Sequence, residues 1–340
     1  MKITIPQLDE HAMQQAHDRQ DTLLKPKGAL GQLETLSIQL AGMTGRCDWL
    51  PQQRAALVFA SDHGVMAHNV SSVPQAITAY MVGQFMAGQA AINVLARQAD
   101  ARLTVIDAGV NADLSLTDTE SARFVSGKIA YGTNDFTVGQ AMSAEQAQKA
   151  LQLGADVVKT EIANGLDILV LGEMGIGNTT SASAIIAAIT GNSAESVTGR
   201  GTGVDDATYE RKITLITKAL ERHAPTTVDT LAKIGGYEIG AMAGAVLYAA
   251  SQRIPIVLDG LICTAAALIA HQINPSVSDY MLAGHCGAEP GHRIALDYLE
   301  LAPILELNLR LGEGTGAVLA LPIIEAAMRT LNEMGTLDVG

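Results

Sequence analysis

Short apolar runs recur along the chain, and most of them end in a small or acidic residue. Six stand out as strand candidates: Ala56–Ser61, Arg102–Ala108, Asp167–Gly172, Ile254–Asp259, Asp279–Ala283 and Ile304–Leu309. Most are solidly apolar rather than alternating, the pattern of parallel strands covered on both faces. Between them lie segments of helical length: Gln75–Arg97, Ala144–Ile162, Ser181–Ile189, Asp206–Glu221, Val228–Ser251 and Gly260–His271. Strands alternating with helices predict an α/β fold, a doubly wound and mostly parallel sheet of about six strands. A further helix is marked by Leu30, Leu33, Leu36 and Leu40 at spacings of three and four, between Lys25-Pro26-Lys27-Gly28 and Gly42.

The first fifty residues and the last twenty-five hold no strand candidate. Both ends read as helical, and they are expected to pack together as a small helical domain (1–49 and 317–340) beside a catalytic domain (50–316). Pro322, inside the last apolar stretch, is expected to kink or restart that helix. No internal repeat or low-complexity linker interrupts the pattern.

Ligands of open parallel sheets bind beyond the carboxyl ends of the strands. The segments there are Asp62-His63-Gly64, Asp107-Ala108-Gly109, the run Gly172–Thr180, Asp259-Gly260, Gly284-His285-Cys286-Gly287 and Gly312–Gly316, a crowd of glycines and carboxylates at one edge. Gly172–Thr180 follows an apolar strand and opens a helix. It reads either as a phosphate cradle, with amides turned inward at a helix N-terminus, or as an ordinary capped turn. No G-K-[ST] follows, so it is not a P-loop. Gly199-Arg200-Gly201-Thr202-Gly203 is a second glycine loop, leading to a helix that carries Lys212, which is either a solvated residue or a phosphate counter-ion. Asp205-Asp206 resembles the acidic pair of transferases that use phosphoribosyl pyrophosphate, but it follows a glycine loop rather than a strand, and a helix N-cap is the better reading. Glu313, alone between glycines, is either a turn residue or a general base.

Composition narrows the chemistry. The 340 residues are 48% hydrophobic and only 17% charged, enough for a sizeable core and too little charge for disorder. The net charge of −13 argues against nucleic acid as a partner. Any phosphate must then be gripped locally, by backbone amides or one placed cation. Cys47, Cys263 and Cys286 are too few and too widely spaced for a disulfide framework or a zinc site, and Cys263 reads as a packing residue. His63 and His68 lack an acidic third ligand at suggestive spacing. Met66, Met81 and Met86 read as core or pocket lining. The N-terminus shows no signal-peptide pattern, and Ile239–Ala250 is too short to span a bilayer, so no membrane partner and a cytoplasmic location are expected.

Five segments taken together resemble one family. Leu24–Gly31, Asp62-His63-Gly64-Val65, the Glu173 loop, Gly199–Gly203 and Gly312–Gly316 are similar, in order along nearly the whole chain, to nicotinate-nucleotide–dimethylbenzimidazole phosphoribosyltransferases. These enzymes make the lower-ligand nucleotide of cobamides. The resemblance implies a Rossmann-like parallel sheet with a small helical domain, in a homodimer. The implied substrates are nicotinate mononucleotide and a benzimidazole-type base, with neither metal nor cofactor. It implies that Glu313 is the catalytic carboxylate, with Glu173 at the edge of the same site. Gly175, Ile176, Gly177, Asn178, Gly201 and Lys212 would bind phosphate. The chain departs from the family pattern where Gly287 replaces a serine near the phosphate, and where Val73 and Met81 replace Ser and Gln beside the base, leaving a more apolar pocket. A non-catalytic nucleotide-binding homologue is the alternative. A dinucleotide-dependent oxidoreductase is disfavoured, because Gly312–Gly316 lies too near the C-terminus to begin such a unit.

Overall fold

The computed structural model describes residues 3–226 and 229–337. Residues 1–2 and 338–340, at the ends of the expected helical domain, and Val228, the start of one expected helix, lie outside them.

Among the described residues a single sheet holds seven strands: β1 (Arg54–Ser61), β2 (Ala101–Gly109), β3 (Arg123–Ser126), β4 (Ile168–Met174), β5 (Ile256–Leu258), β6 (Met281–His285) and β7 (Pro303–Leu305). They lie in the order β3-β2-β1-β4-β5-β6-β7, and every pairing is parallel. The expected fold class therefore holds with one strand more. β3 escaped notice because its four residues, Arg-Phe-Val-Ser, are half exposed at the sheet edge and form no apolar run. The last strand is shorter than expected, since Glu306 onward turns away as loop. Asp279 and Tyr280 belong to a 3-10 turn ahead of β6.

Among the described residues thirteen α-helices surround the sheet: α1 (Glu10–Thr22), α2 (Gln32–Thr44), α3 (Ile77–Met86), α4 (Ala91–Gln98), α5 (Ala144–Ala163), α6 (Asn178–Thr190), α7 (Ala194–Val197), α8 (Asp206–His223), α9 (Thr230–Ile234), α10 (Tyr237–Ser251), α11 (Leu261–Ile273), α12 (Pro290–Tyr298) and α13 (Thr315–Glu333). Two expected helices are each split. Gln75–Arg97 breaks around Gly88, whose φ of +75° is left-handed. The helix expected up to Ser251 breaks at Gly235-Gly236. α2 runs through Gly42 and stops at Gly45, which takes the left-handed C-cap at φ +71°. α13 continues as one helix through Pro322, so the expected restart does not occur. Pro322 is on the exposed face, and the one N–H it lacks is lost there without breaking the helix.

α10 is buried almost all round, packed between α5, α11 and the sheet. Its contact with α5 is backbone to backbone. A Cβ on Gly154 would lie 1.7 Å from the Ala241 carbonyl oxygen, and one on Gly244 would lie 1.9 Å from that of Leu151. α13 covers β4 to β7 from the other side and meets α2 and α4. The chain ends are tied together: Arg19 donates to the carbonyls of Leu331 and Met334, and Leu23 bridges Thr336. β1 pairs with β2 on one side and β4 on the other, the reversal of strand order near which ligands of such sheets bind.

The Gly154–Gly244 contact yields a direct expectation. Gly244→Ala should force α10 away from α5 and lower stability by about 1–3 kcal/mol, read from the midpoint of denaturant unfolding. An unchanged midpoint would show that the two helices have slack.

Candidate active site

A cavity of about 340 Å³ opens beyond β4, β5 and β6. One wall is apolar, formed by Val73, Ile77 and Met81 at α3, with Ile176, Leu261 and Leu309 nearby. The opposite end is built from glycines and polar groups. Val73, Met81, Glu173, Gly175, Ile176, Asn178, Gly201 and Glu313 all line this one space. Gly177 and Lys212 do not; Gly177 precedes Asn178, and Lys212 lies behind the Gly201 loop.

Glu313 stands at the mouth of α13 in a left-handed backbone, φ +65°, between Gly312 at +85° and Gly314 at +92°. Three consecutive residues of this kind make a tight hook that only flanking glycines allow cheaply. The hook sits hard against β4, where a Cβ on Gly172 would lie 2.3 Å from the Glu313 carbonyl oxygen. Asp259, just after β5, holds it from below by accepting the N–H groups of Gly314, Gly316 and Ala317 at 3.1, 2.8 and 3.1 Å. His285 Nε2 lies 3.2 Å from the same carboxylate.

The two candidate carboxylates are both buried, Glu313 at 4% and Glu173 at 6% exposure, but they differ in proton affinity. Burial raises Glu313 to about 6, with Asp259 adding to the rise. The Ile92 N–H, at the start of α4 and 3.3 Å from Oε2, holds it back. Burial raises Glu173 further, to about 8, helped by the negative charges of Asp259, Glu238 and Glu313 and opposed by a hydrogen bond from Asn178. Glu173 therefore holds its proton more readily than Glu313 does. Environments that push two carboxyls apart in this way set acid and base roles.

The polar end offers donors that can seat an anion. The first turn of α6 presents Asn178 and Thr179 to the cavity, and Gly177, at φ +97°, is the N-cap that turns the chain into it. The Gly199–Gly203 loop faces this turn. It is strapped on every side: Ser72 N–H donates to Thr202 Oγ1 at 3.1 Å, Arg310 reaches the Gly201 carbonyl at 3.3 Å, and Gly201 N–H donates to Glu289 Oε1 at 3.0 Å. Lys212 is not the solvated helix residue of one sequence reading. It is buried behind the loop, with its ammonium donating to Gly199 O at 3.0 Å and Thr179 Oγ1 at 3.2 Å, and burial lowers it to about 8. Gly287 lines the seat, and its N–H donates to His292 Nδ1 at 2.9 Å. A Cβ there would come within 2.9 Å of the Leu309 carbonyl oxygen, so a serine would crowd the backbone.

Other sequence readings resolve as follows. Asp205 caps α8 through Thr208 N–H, whereas Asp206 pairs with Arg200 on the surface. His63 pairs with Glu238 and His68 with Asp135, so the two histidines share no ligand position. Among the described residues no group of three or more His, Cys, Asp or Glu side chains could hold a metal ion. Cys263 is buried, with its thiol raised well above the ordinary range. No described helix is long and apolar enough to cross a membrane. Sequence reasoning placed Asp259 and His285 at the correct edge without a role, and missed Glu289, His292 and Arg310 altogether. The available signal was the acid and proline, Glu289-Pro290, that open α12 just past a strand-end glycine.

The family model described as "Phosphoribosyltransferase" matches residues 5–339. A nicotinate-nucleotide–dimethylbenzimidazole phosphoribosyltransferase of Chloroflexus aggregans is 50% identical over 332 residues, covering 97% of this chain and 93% of the relative. One of Roseiflexus sp. (strain RS-1) is 48% identical over 332 residues, with 97% and 93% covered. The crystal structure of the enzyme of that name from Thermus thermophilus superposes with a TM-score of 0.91 at 40% identity, covering 97% of both chains. Matched over nearly its whole length by this family model, these relatives and this fold, the chain belongs to the nicotinate-nucleotide–dimethylbenzimidazole phosphoribosyltransferase family.

Proposed function

We propose that this protein transfers the phosphoribosyl group of nicotinate mononucleotide to a ring nitrogen of 5,6-dimethylbenzimidazole or a related base. The products are nicotinate and an α-ribazole 5′-phosphate-type nucleotide for the lower ligand of cobamides. The observation that carries this reading is the pair of buried carboxyls, Glu173 and Glu313, lining one cavity between an apolar slot and a glycine-built polar end. The slot suits a flat aromatic base, and the seat suits the 5′-phosphate.

The chemistry follows from the leaving group. In nicotinate mononucleotide C1′ is bonded to a pyridinium nitrogen, so the breaking bond returns its electron pair to nitrogen and nicotinate departs without a general acid. It carries no pyrophosphate that would call for a divalent ion. Positive charge builds on the ribose in an oxocarbenium-like transition state. The unprotonated ring nitrogen of the base attacks the opposite face of C1′, inverting it to the α configuration, while the other ring nitrogen gives up its proton to Glu313. Glu173, which holds its proton more readily, can donate a hydrogen bond at the same centre without adding charge. The first turn of α6, the Gly201 loop and the Lys212 ammonium behind it hold the phosphate. In this reading residues 50–316 form the catalytic domain, and residues 1–49 with 317–340 a small helical domain. The working enzyme is a cytoplasmic homodimer, a reading supported by the family resemblance.

The deciding experiment is turnover of nicotinate mononucleotide with a panel of bases. Glu313→Gln should lower kcat about 10²–10⁴-fold with little change in KM. Because the base works ionised, wild-type kcat/KM should rise with pH through about 6, and that limb should vanish in the variant. Near-normal kcat in Glu313→Gln beside a dead Glu173→Gln would exchange the two roles. Activity should survive exhaustive chelation; loss on adding chelator, restored by magnesium or zinc, would rule out the metal-free mechanism. With only apolar side chains at Val73 and Met81, competition assays should show broad tolerance of ring substituents. Strict selectivity would point to other polar groups reading the base.

A further inference from the structure

Glu289 occupies a position its own helix gives no reason for. It is the N-cap residue of α12, with Pro290 following, yet its side chain makes no capping bond to that helix. It reaches instead across the cavity lining to the Gly199–Gly203 loop, where Oε1 accepts the Gly201 N–H at 3.0 Å. Oε2 rests against Gly199, so closely that a Cβ there would lie 1.9 Å from it, and it is buried without a hydrogen-bond partner. Directly behind the same loop is the Lys212 ammonium, 3.4 Å from where a Gly201 Cβ would sit. A carboxylate thus occupies the Gly201 amide, with the Lys212 ammonium behind the loop and bonded to Gly199 O and Thr179 Oγ1.

We infer that Glu289 is a stand-in for the substrate phosphate: its carboxylate fills the Gly201 end of the anion seat in the empty enzyme, and swings to the N-terminus of α12 when a phosphate takes its place. This deepens the proposed function and rests on its phosphate seat. Two arguments favour exchange over a fixed wall. A fixed carboxylate would leave one buried oxygen permanently unsatisfied, which is costly. It would also hold a negative charge beside a phosphate dianion in a cavity walled partly by apolar side chains. The exchange removes both costs. Phosphate takes the Gly201 amide and meets Lys212, while the displaced carboxylate gains the free amides and positive end of its own helix, a favourable place for an acidic N-cap. Glu289 then competes with the substrate at binding and helps expel the product nucleotide afterwards.

The sign of a substitution separates exchange from a wall. Removing the stand-in should tighten anion binding, whereas removing part of a fixed site should weaken it. Inorganic phosphate is the probe, titrated calorimetrically against the full-length wild type, Glu289→Gln and Glu289→Ala. Both variants should bind phosphate about three- to tenfold more tightly, and the KM for nicotinate mononucleotide should fall in parallel. Gln keeps the shape of the side chain and decides the matter if the Ala variant does not fold. Unchanged or weaker phosphate binding in the folded variants overturns the inference. A wild type that binds phosphate but turns over no nucleotide would instead sink the proposed reaction, leaving the phosphate comparison valid.

Discussion

The Asp259 carboxylate accepts backbone N–H groups from Gly314, Gly316 and Ala317, and so ties the start of α13 to the end of β5. A buried anion at a helix N-terminus meets both unpaired amides and the positive end of the helix, so each stabilises the other. The arrangement fixes the position of Glu313, because the left-handed hook at 312–314 has little freedom once the Gly314 amide and two amides just beyond it are held. It explains the small residues below it: Gly172 and Gly284 each leave room for α13 to lie directly on the sheet. It also sets the electrostatics, since the negative charge of Asp259 raises the proton affinity of both Glu173 and Glu313.

A protein of net charge −13 with a carboxylate-rich cavity looks poorly suited to an anionic nucleotide. The difficulty eases at short range. Burial raises Glu173 so that it holds its proton more readily, which lessens the negative charge of the site. The positive groups are concentrated at the first turn of α6 and at Lys212, while the opposite wall is apolar. A nucleotide with a phosphate at one end and an aromatic ring at the other matches that arrangement, and long-range repulsion acts mainly on the rate of encounter.

Much of this was legible in the sequence, because solid apolar runs and glycine-carboxylate clusters have local causes. The parallel sheet, the edge that carries the site, and the convergence of Glu173, Glu313 and the α6 turn all follow from what stands next to what along the chain. What was hidden depends on contacts distant in sequence. Lys212 is indistinguishable from a surface lysine until α8 packs over the glycine loop. The split at Gly235-Gly236 is not apparent in an apolar stretch that reads as one helix. β3 is an edge strand too short to have a pattern. Glu289 looks like a helix-starting acid, and only the fold reveals that its side chain points away from its helix toward Gly201.

An entirely parallel sheet cannot be assembled from hairpins; every pairing waits for a crossover to be completed. Here the walls of the cavity are drawn from positions as far apart as Val73 and Glu313. The hook that carries Glu313 acquires its shape only when α13 docks on β4 and Asp259. During synthesis, a chain that has already built the central strands would still lack half of its ligand site. Nucleotide affinity in this protein therefore belongs to the finished fold alone, and partly made or truncated chains should be unable to sequester substrate.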